Sequence, residues 1–151
     1  MNERLQKFTS RALWVCTLAI LAIMTVQGFS GNWITIFLVL PGGPTNLGEQ
    51  FLMAMAGLAR YHSVMGFAIG VLSIVIVVLA FLSRASIYVR ILAVLGLLIT
   101  FSAALGGYLF VTSGNSDRWP LGQMMDSFIG AFIAYFLQLF FMNGTPWAKG
   151  K

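Results

Sequence analysis

Residues 59–82 read ARYHSVMGFAIGVLSIVIVVLAFL, and this stretch decides the fold class. A helix that crosses a bilayer needs about 20 mostly apolar residues, and the stretch meets that length. Its second half, VLSIVIVV at residues 71–78, is rich in β-branched residues, which in water favour a strand. In lipid a helix is favoured instead, because every backbone N–H and C=O must be bonded within the segment. The stretch therefore predicts a transmembrane helix.

Three more stretches of the same kind occupy residues 12–31, 91–112 and 121–142. The whole chain is 59% hydrophobic and 9% charged, with a mean hydropathy of +0.89. Soluble domains carry about a quarter charged residues, so a bilayer is the expected environment of this chain. The sequence predicts an all-α fold: a four-helix transmembrane bundle of two helical hairpins, with residues 1–151 forming one integral membrane domain.

The segment between the first two spans has more than one interpretation. Residues 33–40 stay apolar, so the first helix is either long and tilted or broken near residues 28–31. PGGP at residues 41–44 stops any regular element. Apolar residues at near-helical spacing in 45–58 predict a short amphipathic helix that lies on the outer face of the membrane. Whether residues 32–58 are transmembrane, interfacial or loop stays open from the sequence.

The cations are distributed unevenly along the chain. With four spans, both termini lie on the same side of the membrane. Of the nine Lys and Arg residues, all but Arg60 and Arg118 fall on that side: Arg4, Lys7, Arg11, Arg84, Arg90, Lys149 and Lys151. The positive-inside rule then predicts that both termini are cytoplasmic and that the protein lies in the cell membrane. Because topology explains these clusters, the net charge of +5 does not indicate a nucleic-acid partner.

His62 is the only histidine, and it lies just inside the outer end of the second span. An ionisable residue at that depth indicates a functional site, unless its polar end simply reaches the headgroups. A single histidine cannot form a bis-histidine heme site, but a His/Met pair can hold a heme iron. Met124 and Met125 stand at the outer end of the fourth span. We therefore predict His62 as a metal ligand with Met125 or Met124 as the second, the alternative for the methionines being plain packing.

A weak internal repeat relates the two outer helix ends. The order His62, Ser63, two apolar residues and Gly66 has a counterpart 64 residues later that begins at Asp126. Asp126 has three possible roles. It could hydrogen-bond to His62, form a salt bridge with Arg118 or Arg60, or be an anion that the dipole favours in the first turn of its helix.

Arg60 and Arg118 are the cations predicted on the outer side. Heme propionates lie at a membrane edge, and a guanidinium group binds a carboxylate through two parallel hydrogen bonds. Both arginines are therefore candidates to bind the propionates. The alternative is that each is simply exposed to water at the end of its helix.

The halves also match earlier in each hairpin, where residues 20–31 resemble residues 96–107. Together with His62 and the pair Gly106–Gly107, this pattern resembles one four-helix half of the heme A synthase family, or a short archaeal-type relative. The resemblance implies a four-helix fold with heme nearby. Ser63 follows His62 where the family has an arginine, and Asp126 stands where it has a second histidine. Oxidation of a heme methyl group is therefore not carried over.

Two functions follow from the sequence, and a third, a carrier or channel, ranks last because the spans hold few polar residues along their length. The first is a small b-type heme-binding or diverged heme A synthase-like membrane protein, in respiratory electron transfer or oxidase assembly. The alternative is a cofactor-free accessory subunit that docks in a larger membrane complex through faces of small residues. Other membrane subunits or a second copy of the chain are the expected protein partners.

Overall fold

The computed structural model describes residues 3–38, 45–112 and 118–143. Within these ranges, the side chains of residues 32–38, 45–56, 58, 59, 110–112, 118 and 143 lie outside the description. The described residues form four helices and no strand: α1 (Glu3–Leu38), α2 (Thr45–Leu82), α3 (Ile87–Thr112) and α4 (Arg118–Asn143). The predicted all-α, four-helix architecture is confirmed.

Each helix contains a stretch long and apolar enough to cross a membrane: Glu3–Gly31, Arg60–Leu82, Ile87–Leu109 and Trp119–Met142. Large apolar side chains cover the outside of the bundle; Phe67 is 75% exposed and Phe29 is 70% exposed. In water such a surface would promote aggregation, whereas in a bilayer the acyl chains solvate it. The chain is thus an integral membrane protein with lipid around it.

The first hairpin is longer than the second. Helices α1 and α2 have 36 and 38 residues, against 26 each for α3 and α4. At about 1.5 Å per residue, the first pair is about 55 Å long and the second about 39 Å. The structure makes α1 continuous to Leu38 and merges residues 45–58, the predicted surface segment, into α2. No proline lies between residues 45 and 82, so nothing forces the helix to end there.

The helices form a ring in chain order. Helix α1 packs against α2 and α4, and α3 packs against the same two helices. Consequently α2 and α4 lie at opposite corners of the bundle. The core between the four helices is built from Ile20, Met24, Ile69, Ile76 and Tyr135, among others.

The described turn between α2 and α3 is tight because Arg84 adopts a left-handed conformation with φ of 53°. The N–H of Ala85 bonds to the carbonyl of Ala80, and that of Arg84 to the carbonyl of Phe81. This is the hydrogen-bond pattern of a Schellman C-cap, which satisfies the last carbonyls of α2. Ser86 then caps α3, since its hydroxyl accepts from the N–H of Val89 at 3.4 Å.

The backbones of helices α3 and α4 come close together at Gly106. A Cβ atom added there would lie 2.9 Å from the backbone N of Met124 and 2.9 Å from the backbone O of Pro120. These are backbone atoms, so no side-chain rotation could relieve the contact. Glycine at position 106 therefore sets the distance between the two helices of the second hairpin.

We predict that Gly106→Ala destabilises the bundle by about 1–3 kcal/mol, because α3 and α4 must move apart. Gly122→Ala is the matched control: it lies in α4, and nothing lies within 4 Å of its added Cβ. The control should be neutral or slightly stabilising. Unfolding in detergent micelles measures both, and equal midpoints for the two variants would contradict the close packing at Gly106.

Candidate functional site

His62 lies near the start of the membrane span of α2, and its ring is turned toward α1. The imidazole Nδ1 is 3.2 Å from the hydroxyl oxygen of Ser30. The amide Nε2 of Gln27, one turn earlier on α1, donates to the backbone carbonyl of His62 at 2.9 Å. Two consecutive turns of α1 thus hold both the ring and the backbone of this residue.

The hydrogen bonds around Ser30 favour one tautomer of His62. The hydroxyl of Ser30 donates to the backbone carbonyl of Gln27 at 3.0 Å, which uses its single proton. Its oxygen is then the acceptor for Nδ1–H of His62. With the proton on Nδ1, the imidazole Nε2 carries a free lone pair. This is the arrangement found in metal-ligating histidines, whose second nitrogen donates to a neighbouring oxygen.

Gly31 makes room for the His62 ring. A Cβ atom added at Gly31 would lie 2.8 Å from Cε1 of His62. Any larger residue at position 31 would displace the imidazole from Ser30. The segment of α1 that holds the histidine therefore consists of Gln27, Ser30 and Gly31, which we call the α1 clamp.

Sequence reasoning missed the α1 clamp, although its signal was present. Gln27 and Ser30 are polar residues three positions apart in a mostly apolar span, which places them on one helix face. Both are buried, with 6% and 9% of their surfaces exposed. The pairing with His62 could not be predicted, because it depends on which faces of α1 and α2 meet.

The side chains of the two candidate methionine ligands point in two different directions. The Sδ atom of Met124 lies 3.4 Å from the position that a Cβ atom on Gly107 of α3 would take. The side chain of Met125 is 46% exposed on the outside of α4. His62 faces α1, and its helix lies at the corner opposite α4. The structure therefore places the histidine against residues of α1, the sulfur of Met124 against α3, and Met125 on the outside of α4.

Asp126 has an exposed side chain. Helix α4 begins at Arg118, so Asp126 lies beyond the first turn, where the effect of the helix dipole is weak. The next residue, Ser127, faces inward and donates to the hydroxyl of Ser102 on α3 at 3.0 Å. Inside this hairpin the polar contacts are made by Ser127 and Gln123, which both donate to Ser102.

The two candidate arginines sit on different helices. Arg60 opens the membrane span of α2 with an exposed side chain. Arg118 is the first residue of α4, and its side chain lies outside the described residues. The exposed guanidinium of Arg60 is free to take either predicted role.

A second polar group, which the sequence did not reveal, lies deeper in the bundle and includes residues of all four helices. We call it the polar layer; its members are Thr17, Ser73, Thr100, Tyr135 and Gln138, all buried. The Nε2 of Gln138 is 3.5 Å from the hydroxyl of Thr17, and the hydroxyls of Ser73 and Thr100 are 3.5 Å apart. The Tyr135 ring lies against Gly96 on α3.

Acidic and metal-ligating side chains do not cluster in the described part of the chain. No group of three or more His, Cys, Asp or Glu side chains there could hold a metal ion. A site formed by such a cluster is thus excluded for these residues. Heme ligation by His62 needs no such cluster.

Comparisons with protein-family models, with curated proteins and with solved structures found no match to this chain. The functional inference therefore depends on the geometry of the site.

We predict that Gly31→Ala displaces the imidazole of His62 from Ser30, since the added Cβ would lie 2.8 Å from Cε1. His62 is the only histidine, so a protein labelled with ¹⁵N-histidine and purified without a histidine tag gives signals from one imidazole. Those signals should shift in Gly31→Ala and stay in place in Gly70→Ala, where nothing lies within 4 Å of the added Cβ. Unchanged signals in both variants would show that Gly31 does not contact the ring.

Proposed function

We propose that this chain is a small membrane protein that binds a b-type heme at the outer end of the bundle, with His62 as an axial ligand. It would serve respiratory electron transfer or oxidase assembly, as expected of a diverged heme A synthase-like protein. The observation that supports this most is the contact of Nδ1 with Ser30 at 3.2 Å, which leaves Nε2 free to coordinate iron. When bound, the heme supplies one-electron redox chemistry.

The residues of this site are better suited to supply one axial ligand of a heme iron than two. His62 has the right donor atom and the right supporting hydrogen bond. Of the two methionines, Met124 is the better second ligand, because it is partly buried whereas Met125 is 46% exposed. Its sulfur lies against Gly107, so ligation by Met124 would require its side chain to turn away from α3. The proposed site therefore contains His62, with Met124 and Met125 as second-ligand candidates in that order.

The outer arginines and the topology complete the proposal. Arg60 and Arg118 open the membrane-spanning parts of α2 and α4 at the same end of the bundle as His62, and would bind the propionates. The uneven distribution of Lys and Arg along the chain supports a location in the cell membrane with both termini in the cytoplasm. The heme would then lie toward the extracytoplasmic side.

One observation favours the second candidate, a cofactor-free accessory subunit. The contacts of Gln27, Ser30 and Gly31 with His62 also fasten α1 to α2, so the histidine has a structural use without any cofactor. In that case the apolar outer faces would dock against other membrane subunits or a second copy of the chain. The polar ends of the helices would then be contact sites.

The first candidate predicts that purified protein titrated with hemin develops a Soret band at one heme per chain. His62→Ala should abolish the band, because it removes the coordinating nitrogen. Ser30→Ala should keep the ligand but weaken heme binding by about 10–100-fold, since it removes the hydrogen bond that orients the ring. Ser30 is a positioning residue, so the reduction potential of the bound heme should change as well.

Val64→Ala is the matched control, because Val64 is close in sequence, 61% exposed and outside the site. It should bind heme as the wild type does. A wild-type protein that stays colourless, or a Soret band that survives His62→Ala, would overturn the heme proposal. The first of these results would support the accessory subunit.

A further inference from the structure

Three glutamines inside the bundle share one pattern. Each donates from its Nε2 atom to another helix: Gln27 to the carbonyl of His62, Gln123 to the hydroxyl of Ser102, and Gln138 to the hydroxyl of Thr17. In each, the Oε1 atom is buried and has no hydrogen-bond partner among the described residues. The interior is thus short of hydrogen-bond donors.

Exchanging the O and N atoms of the amide would not remove this shortage at Gln138. The hydroxyl of Thr17 donates to the backbone carbonyl of Leu13 at 2.8 Å, so its oxygen can only accept from Gln138. The Nε2 of Gln138 must therefore point to Thr17, and Oε1 must point elsewhere. The same logic holds at Gln27, where the partner is a backbone carbonyl.

Tyr135 adds a second unpaired group next to the first. It lies three residues before Gln138 on α4, which places both on the same helix face, and both side chains are 0% exposed. Its hydroxyl lies near those of Ser73 and Thr100 and accepts no hydrogen bond from either. These two hydroxyls already donate to the carbonyls of Ile69 and Gly96. They can therefore accept a proton but cannot donate one.

A buried polar atom in a membrane protein has no bulk water to bond to, so an unpaired acceptor there is unfavourable. Buried water molecules commonly bond to such groups, each making about three hydrogen bonds. Water supplies two donors and two acceptors, which matches an amide oxygen that needs a donor and a phenol that can both donate and accept. A charged ligand is disfavoured at this site, because the polar layer contains no charged side chain to pair with it.

We propose that the polar layer is an internal hydration site, in which water molecules donate to Oε1 of Gln138 and bond to the hydroxyl of Tyr135. This site is separate from the one at His62 and does not require that heme be bound. It gives the fully buried side chains of Tyr135 and Gln138 the hydrogen-bond partners that they lack in the apolar core. The bundle interior is then hydrated in the middle of its apolar core.

The test is magnetisation transfer from water to the side-chain amide protons of Gln138, in deuterated, ¹⁵N-labelled protein in lipid nanodiscs. We expect a direct transfer signal at Gln138. The backbone amides of Ile20 and Ile76, which are also 0% exposed, serve as dry controls and should show none. Gln6, which is exposed near the start of α1, is the hydrated control.

Gln138→Met keeps the length of the side chain and removes both polar atoms, so it should delete the signal assigned to Gln138 and leave that of Gln6 intact. A Gln138 amide that is visible in the spectrum but receives no magnetisation, while Gln6 does, would overturn the proposal. Transfer of equal strength at Gln138, Ile20 and Ile76 would also overturn it, because that would show general water penetration and no defined site.

Discussion

The bundle depends on one constraint: inside a bilayer, each polar group must find its partner within the protein. The backbone meets this constraint by forming continuous helices, which is why even the β-branched run in residues 71–78 is helical. Polar side chains meet this constraint by pointing into the interior of the bundle. Gln27, Ser30, Ser73, Thr100 and Gln138 are all buried, while phenylalanines such as Phe67 and Phe29 cover the outside. Polar side chains thus lie in the interior and large apolar ones on the outside, the reverse of the usual arrangement in a soluble protein.

The same constraint explains how His62 is held. An imidazole inside the span needs hydrogen bonds, and α1 supplies a hydroxyl from Ser30, while the amide of Gln27 bonds to the histidine's backbone. Gly31 lets the two helices come close enough for these bonds to form. Gly107 has a matching place in the second hairpin, where it faces the sulfur of Met124. Both hairpins thus place a glycine of the first helix against a side chain near the start of the membrane span of the second.

Composition and helix length were sufficient to predict four spanning helices, because a bilayer allows few alternatives. Their ends were harder to predict. Residues 45–58 look amphipathic by themselves, but no proline separates them from the span that follows, and the structure joins the two. The sequence also singled out His62 as a candidate, since it is the single histidine and lies in an apolar run.

The partners of His62 could not be predicted. In helices that are apolar on most sides, the hydrophobic pattern does not say which face points inward, so the residues of α1 that contact His62 could not be identified from it. Met124 and Met125 illustrate this: adjacent in the chain, they face α3 and the outside, respectively. The polar layer was hidden for the same reason, since Thr17 and Gln138 come together from the two ends of the chain.

The central claim is that His62 faces α1 and not α4, and thiol cross-linking tests it directly. Cys16 is the single cysteine, so a Cys16→Ala background is free of thiols. In that background, Gly31→Cys paired with His62→Cys should react rapidly with a short bis-thiol reagent in membranes. His62→Cys paired with Met124→Cys should react slowly, because α2 and α4 lie at opposite corners. Faster cross-linking of the second pair would contradict this arrangement of the bundle.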